Sequence, residues 1–186
     1  IVVEHFNSIT LENSMKAALI NPQPGVFNFE PADAFVAFGE AHKMFIVGHT
    51  LVWHNQVAPW FFTNADGKPN TKEEQIERLR NHIKTVAGRY AGRVHAWDVV
   101  NEALNEDGSM RKSIFLDKLG PDFVTEAFRL AQKAAPTTEL YYNDYNNEQP
   151  AKREGCLRLI RKIKEAGVRI DGVGIQGHWH IGKIPL

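Results

Sequence analysis

The sequence holds a single cysteine, Cys156, so no internal disulfide can form and the redox compartment stays open. Neither sign of charge is in excess, since Lys+Arg 22 balance Asp+Glu 22. Without a basic surplus, neither a nucleic-acid partner nor an anionic membrane surface is expected. No run comes near the roughly 18 consecutive apolar residues of a membrane span. The first apolar stretch of strand length is not followed by the glycine-rich turn of a dinucleotide or phosphate site. An initiator methionine is missing too. The chain starts at Ile1-Val2-Val3 and stops at Ile184-Pro185-Leu186 with no closing helix, which leads us to expect a piece of a longer protein. On that expectation, the lack of a signal peptide carries no information.

What remains is an ordinary globular balance. With 43% hydrophobic and 24% charged residues, the chain of 186 can bury a sizeable core. Its periodicity predicts five strands. They start with Phe6 to Thr10, Met44 to Val52 and the β-branched run Val94 to Val100, and end with Glu139 to Tyr142 and Gly172 to Gln176. Four helices are predicted between them. One opens at Pro31 with Phe35, Phe38 and His42 along a face. The next is capped by Thr71 and Glu74 and carries the stripe Ile76, Leu79, Ile83, Val86 and Tyr90. A third holds Phe123, Ala127, Leu130 and Ala134 and is stopped by Pro136. The fourth opens at Pro150, carries Cys156, Leu159, Ile160 and Ile163, and closes at Gly167. Residues 105–120 read as a loop.

Strict alternation of strand and helix means a parallel sheet. Two parallel architectures compete, a doubly wound sheet and a barrel. All five strands end in large polar or aromatic residues: Glu12-Asn13, His49 to Trp53, Asn101-Glu102, Asn143 to Tyr145 and Gln176 to His178. Function spread over every strand end belongs to a (β/α)8 barrel, whose catalytic face is the carboxyl end of its strands. Five strands fit an incomplete one.

Within that frame Trp97-Asp98-Val99-Val100-Asn101-Glu102-Ala103 stands out, because a buried strand stops abruptly in an amide and a carboxylate. The bland alternative is that Asn101 and Glu102 merely cap the next loop. Carboxylates, amides, histidines and tryptophans around a cleft suit a sugar, and glycosidic hydrolysis needs one carboxyl to protonate the leaving oxygen and a second as nucleophile or base. Glu102 is the natural proton donor. Strand alternation puts Asp98, Val100 and Glu102 on one face, with Asp98 one layer deeper as an orienting group, and turns Asn101 away unless the strand twists out at its end. A metal site is the rival use of the histidines, because His178 and His180 are spaced two apart. No second such pair exists, so no metal is expected. Trp60, Phe61 and Phe62 could stack on sugars or wall the core. His42, His82 and His95 need no functional role.

Together these residues resemble the family 10 glycoside hydrolases, the (β/α)8 endo-β-1,4-xylanases. The segment Trp97 to Ala103 is similar to the one holding that family's acid/base glutamate. Four more motifs follow the family's order: Glu12-Asn13-Ser14-Met15-Lys16, Gly48-His49-Thr50-Leu51-Val52-Trp53-His54, Tyr141-Tyr142-Asn143-Asp144-Tyr145-Asn146 and Gly174-Ile175-Gln176-Gly177-His178. The resemblance covers essentially the whole chain and implies an incomplete (β/α)8 TIM barrel holding about strands 2 to 6, residues 1–186 being part of a catalytic domain. It implies xylan or xylo-oligosaccharide as substrate, a retaining mechanism, no cofactor, a monomeric catalytic domain, and a secreted or periplasmic parent.

The resemblance also implies roles. Glu102 would be the acid/base catalyst and Asn101 would bond the sugar 2-hydroxyl. Glu12, Asn13, Lys16, His49, Trp53 and Gln56 would line the glycone subsites, and Tyr145 would stack on the aglycone side. Gln176 and His178 would face the catalytic centre, with His178 bridging Asp98 and the nucleophile. Two departures are visible. Ala17-Ala18 follows Lys16 where the family often has a tryptophan and an acid. The family's nucleophile glutamate sits on the seventh strand, beyond Leu186, so these 186 residues alone are expected to be unstable and inactive. The alternatives kept open are a cellulase or mannanase of a related barrel family and a sugar-binding barrel without catalysis.

Overall fold

The computed structural model describes residues 1–182. Five strands form one all-parallel sheet: β1 (Ser8–Thr10), β2 (Phe45–Trp53), β3 (Ala96–Asn101), β4 (Glu139–Asp144) and β5 (Gly172–Ile175). A short α1 (Val2–His5) precedes β1, and α2 (Ala17–Ile20) and α3 (Glu30–Ala41) join β1 to β2. A 3₁₀ turn (Pro59–Phe61) and α4 (Lys72–Arg89) lead to β3, α5 (Ile114–Leu119) and α6 (Phe123–Ala134) to β4, and α7 (Pro150–Glu165) to β5.

The strands lie in the sheet in the order in which the chain makes them. A doubly wound sheet reverses that order at a switch point, whereas a barrel never does. The architecture is therefore half of a (β/α)8 barrel, with helices between its five strands. Among the described residues no helix is long and apolar enough to cross a membrane.

Local chemistry explains the best-formed elements. Thr71 Oγ1 accepts the Glu74 backbone N–H and Glu74 Oε2 accepts that of Thr71, a reciprocal cap of the kind worth about 1 kcal/mol. Behind it Leu79, Ile83 and Val86 are buried, and Tyr90 just past the helix end donates its hydroxyl to Asp33 at 2.9 Å. β3 is buried at every position, as a strand covered on both faces must be. Trp97 lies flat beneath Gly48 of β2, where a Cβ would fall 2.3 Å from the indole ring, so only glycine lets the two strands pair there.

Two helical expectations are corrected. The face that α3 turns to the sheet is Ala32, Val36 and Gly39, while Phe38 is 40% exposed and packs at a tilt against the His42 ring outside. Small residues win that face because Ile46 and Ile9 press against Gly39. Residues 105–120 are not all loop: Ser113 caps the six-residue α5, which buries Phe115 and Leu119.

Candidate active site

The carboxyl ends of the five strands open into one cleft of about 510 Å³. Glu102, Asn101 and Asp98 from β3 and its end line it, with His49 and Trp53 of β2. Glu12 and Lys16 come from the segment after β1, and Gln176 and His178 from the segment after β5.

Strict alternation would have turned Asn101 away, yet Asn101 and Glu102 both reach the cleft. The cause lies in the backbone. The register of β3 against β4 shifts between Asp98 and Val100, and β2 slips against β3 between His49 and Val52. These irregularities change the phase of the strand, so that Asp98 and Asn101 share a side. Glu102 follows at φ 57, an uncommon backbone state for a residue with a side chain, which swings its carboxylate beside Asn101.

The Glu102 carboxylate is held at both oxygens. Oε2 accepts from Trp53 Nε1 at 2.9 Å, and Oε1 accepts from Gln176 Nε2 at 3.0 Å. Asn101 is 3% exposed, and its Oδ1 accepts from Asn143 Nδ2 at 2.9 Å and from Gln176 Nε2 at 3.2 Å. With its oxygen engaged twice, Asn101 has its amide nitrogen left as the donor it can offer a ligand. Asn143 also lines the cleft. The sequence reading gave it no role, although it stands at a polar strand end like the others.

Asp98 Oδ2 accepts a hydrogen bond from the Nδ1–H of His49 at 2.8 Å, which fixes the imidazole tautomer and leaves Nε2 for a ligand. Asp98 is thus paired with His49. His178, expected to bridge Asp98 and the nucleophile, donates from Nε2 to Gln176 Oε1 at 2.8 Å. Lys16 Nζ stands 4.7 Å over the Trp53 ring and donates to Asn13 Oδ1 at 3.1 Å. Asn13 and Gln56 support this wall from behind and do not themselves line the cleft. Gln56 Nε2 reaches Asn13 Oδ1 at 3.4 Å, and Gln56 O accepts the Ala18 N–H.

Tyr145 likewise stands outside the cleft's lining, past the end of β4, with its hydroxyl on an Arg111 guanidinium nitrogen at 2.6 Å. Arg111 was not singled out from the sequence, because an arginine in a 16-residue loop carries no pattern. It binds the carbonyl oxygens of Glu102 and Leu104 at 2.9 and 3.0 Å. His54, half-buried behind Glu102, has its pKa lowered by burial and by the Arg111 charge, against smaller opposing pulls from Glu102 and Asp144. Phe61 and Phe62 are core, and Trp60 donates to Asn21 O, so these three wall the interior rather than the cleft. Among the described residues no three His, Cys, Asp or Glu side chains gather as a metal would require.

The model of the family described as glycosyl hydrolase family 10 matches residues 1–186. An endo-1,4-beta-xylanase A of Xylanibacter ruminicola is 45% identical over 177 residues, covering 95% of this chain and 48% of the relative. A beta-1,4-xylanase of Dictyoglomus thermophilum is 47% identical over 178 residues, covering 95% and 49%. Among solved structures, xylanase XynB from Paenibacillus barcinonensis, in complex with a conduramine derivative, superposes with TM-score 0.93 at 43% identity over 97% of this chain and 55% of that one. Xylanase 10B from Thermotoga petrophila, in complex with xylobiose, gives 0.89 at 43% identity over 95% and 53%. The chain spans about half the length of the curated relatives it matches.

Proposed function

This chain belongs to glycosyl hydrolase family 10, and from that premise we propose that its parent protein hydrolyses internal β-1,4-xylosidic bonds of xylan by a retaining double displacement. The observation that carries the proposal is the Glu102 carboxylate, gripped by Trp53 and Gln176 at the open end of a parallel half-barrel. Relatives named as xylanases favour xylan over cellulose or mannan, and the doubly held carboxylate favours a catalyst over a mere sugar binder.

In the first step a carboxylate nucleophile attacks the anomeric carbon while Glu102 gives its proton to the departing glycosidic oxygen. In the second, Glu102 takes a proton from the water that displaces the sugar from the enzyme. Asn101 donates to the 2-hydroxyl, a contact that strengthens as the ring flattens. Lys16, His49 and Trp53, with Glu12 beside them and Asn13 and Gln56 behind, hold the glycone sugars, and Tyr145 takes an aglycone sugar. Gln176 and His178 orient groups at the centre. We take the nucleophile to come from sequence outside these 186 residues. The other carboxylates at the cleft have separate tasks, Asp98 on His49 and Glu12 on the glycone wall. On this view residues 1–186 are part of a catalytic domain and do not turn over xylan alone. We take the parent to act as a monomer without a cofactor and to be exported to where polymeric xylan lies.

Proton NMR of xylohexaose hydrolysis by the intact protein tests the proposal. The first-formed reducing ends should be β anomers. First-formed α anomers would mean inversion and would overturn the double displacement, and no hydrolysis at all would overturn the enzyme reading.

A further inference from the structure

Lys152, in the first turn of α7, is 0% exposed. An ammonium in the interior costs several kcal/mol of desolvation unless it is paired, and an apolar side chain of the same length would fill the space without that cost. Its partners show where the charge is used. Nζ lies 3.0 Å from Asp144 Oδ1, 3.2 Å from Glu106 Oε1, and 3.7 Å from the centre of the Tyr145 ring.

Each partner belongs to a segment beside the site. Asp144 ends β4, and its Oδ1 also accepts the Tyr145 backbone N–H at 2.9 Å. Its Oδ2 accepts the Tyr142 hydroxyl, and that hydroxyl accepts the backbone N–H of Ala103, the residue after Glu102, at 3.1 Å. Glu106 lies three residues further along the same loop. One turn on from Lys152 along α7, Gly155 touches that loop so closely that a Cβ would fall 2.3 Å from Gly108 O. After one more turn, Arg158 donates to Gly108 O at 3.1 Å. Lys152, Gly155 and Arg158 recur every three residues and so form one face of the helix, onto which the loop following Glu102 is docked.

We infer that Lys152 is a positioning residue for the leaving-group side of the cleft: its buried ammonium sets the Tyr145 ring as a platform for the aglycone sugar and ties down the loop that follows Glu102. The inference rests on the reading above in which Tyr145 takes that sugar. Asp144, whose carboxyl is pushed up by burial and held down by Tyr142 and Lys152, is the link between the two parts.

The test compares two substrates in the intact protein. Xylohexaose places a sugar on the aglycone side, whereas β-xylobiosyl fluoride has no aglycone sugar and a leaving group that needs no proton. For Lys152→Met, KM for xylohexaose should rise roughly 10-fold as the platform under the aglycone sugar loses its fixed orientation, while kcat/KM for the fluoride moves by less than about 2-fold. Lys152→Met/Asp144→Asn removes the carboxylate that the single variant leaves unpaired, and should fold while keeping the same selective loss. Equal losses on both substrates overturn the inference. So does failure of both variants to fold, judged by circular dichroism, because the lysine would then hold the domain and not the platform. Tyr145→Ala separates the premise: a selective loss there with Lys152→Met unaffected overturns this inference alone, whereas no loss in Tyr145→Ala overturns the aglycone reading itself.

Discussion

The indole nitrogen of Trp53 donates to the carboxylate of Glu102 at 2.9 Å, a bond between residues 49 positions apart that ties the end of β2 to the end of β3. A hydrogen bond to a charged group contributes about 1.5–3 kcal/mol, and under the role proposed for Glu102 it would also aim the oxygen at the glycosidic bond. Trp53→Phe keeps the apolar body and removes the donor. Its kcat/KM on xylo-oligosaccharide should fall roughly 10-fold or more, with a smaller fall on an aryl xylobioside whose leaving group needs little protonation. An unchanged value on xylo-oligosaccharide would mean the bond is incidental.

Glu102 itself should divide substrates more sharply. General acid–base catalysis contributes about 10²–10⁴-fold, so Glu102→Ala should lose that much on xylan and far less on activated aryl glycosides. Azide should restore turnover of the activated substrate by attacking the trapped glycosyl-enzyme, giving a glycosyl azide detectable by mass spectrometry. Equal losses on both substrates, with no azide product, would remove Glu102 from the acid/base role.

Much of this site was legible because barrel strands end in function. The polar ends after Thr10, at His49 and Trp53, at Asn101-Glu102 and at Gln176-His178 all meet in one cleft. The phase of β3 was not legible. The shift between Asp98 and Val100 falls in Asp98-Val99-Val100, where no glycine or proline announces it, so period-two alternation misplaced Asn101. The pairing of Asp98 with His49 was hidden for a related reason, since it joins two strands at matched register and leaves no mark in either. α5 escaped because six residues are too few to display a helical period. The face of α3 was misread because bulk suggested Phe35 and Phe38, while the close approach of Ile46 selected Gly39.

His82 predicts a pH dependence of stability. It is buried on α4 against the Phe61 ring, and burial pushes its imidazole from 6.5 down to about 4, opposed only by the Leu51 backbone. The folded pKa lies below the unfolded one, so between these values the unfolded chain binds the extra proton. Stability from this group is therefore present above about pH 6.5, is lost as pH falls, and stops changing below about pH 4. A gap of this size corresponds to about 3 kcal/mol. His82→Gln has no such proton to bind. Urea midpoints of the intact protein measured at pH 7 and pH 4 should fall further for the native chain than for the variant. Parallel falls would mean that His82 is hydrated or charged in the folded state.

Asn101 offers the closest test of the cleft geometry. Its oxygen is occupied by Asn143 and Gln176, which orients the amide so that nitrogen is the free end. A donor fixed in this way cannot turn to accept, so it discriminates a hydroxyl oxygen by position as well as by presence. A bond to the 2-hydroxyl that tightens as the ring flattens can supply several kcal/mol at the transition state. Asn101→Ala should therefore lower kcat/KM on the natural substrate by roughly 10²-fold or more, with kcat carrying most of the loss. On a 2-deoxy analogue, which offers nothing for the amide to bind, the same variant should lose little more than the shift of Gln176 causes. The orientation of the amide is measurable separately, because Asn143→Ala removes one of the two bonds to Asn101 Oδ1 while keeping the amide. It should give an intermediate loss on the natural substrate and none on the analogue. Equal losses of Asn101→Ala on both substrates would make the residue a support for Gln176 and Glu102, with no contact to the sugar.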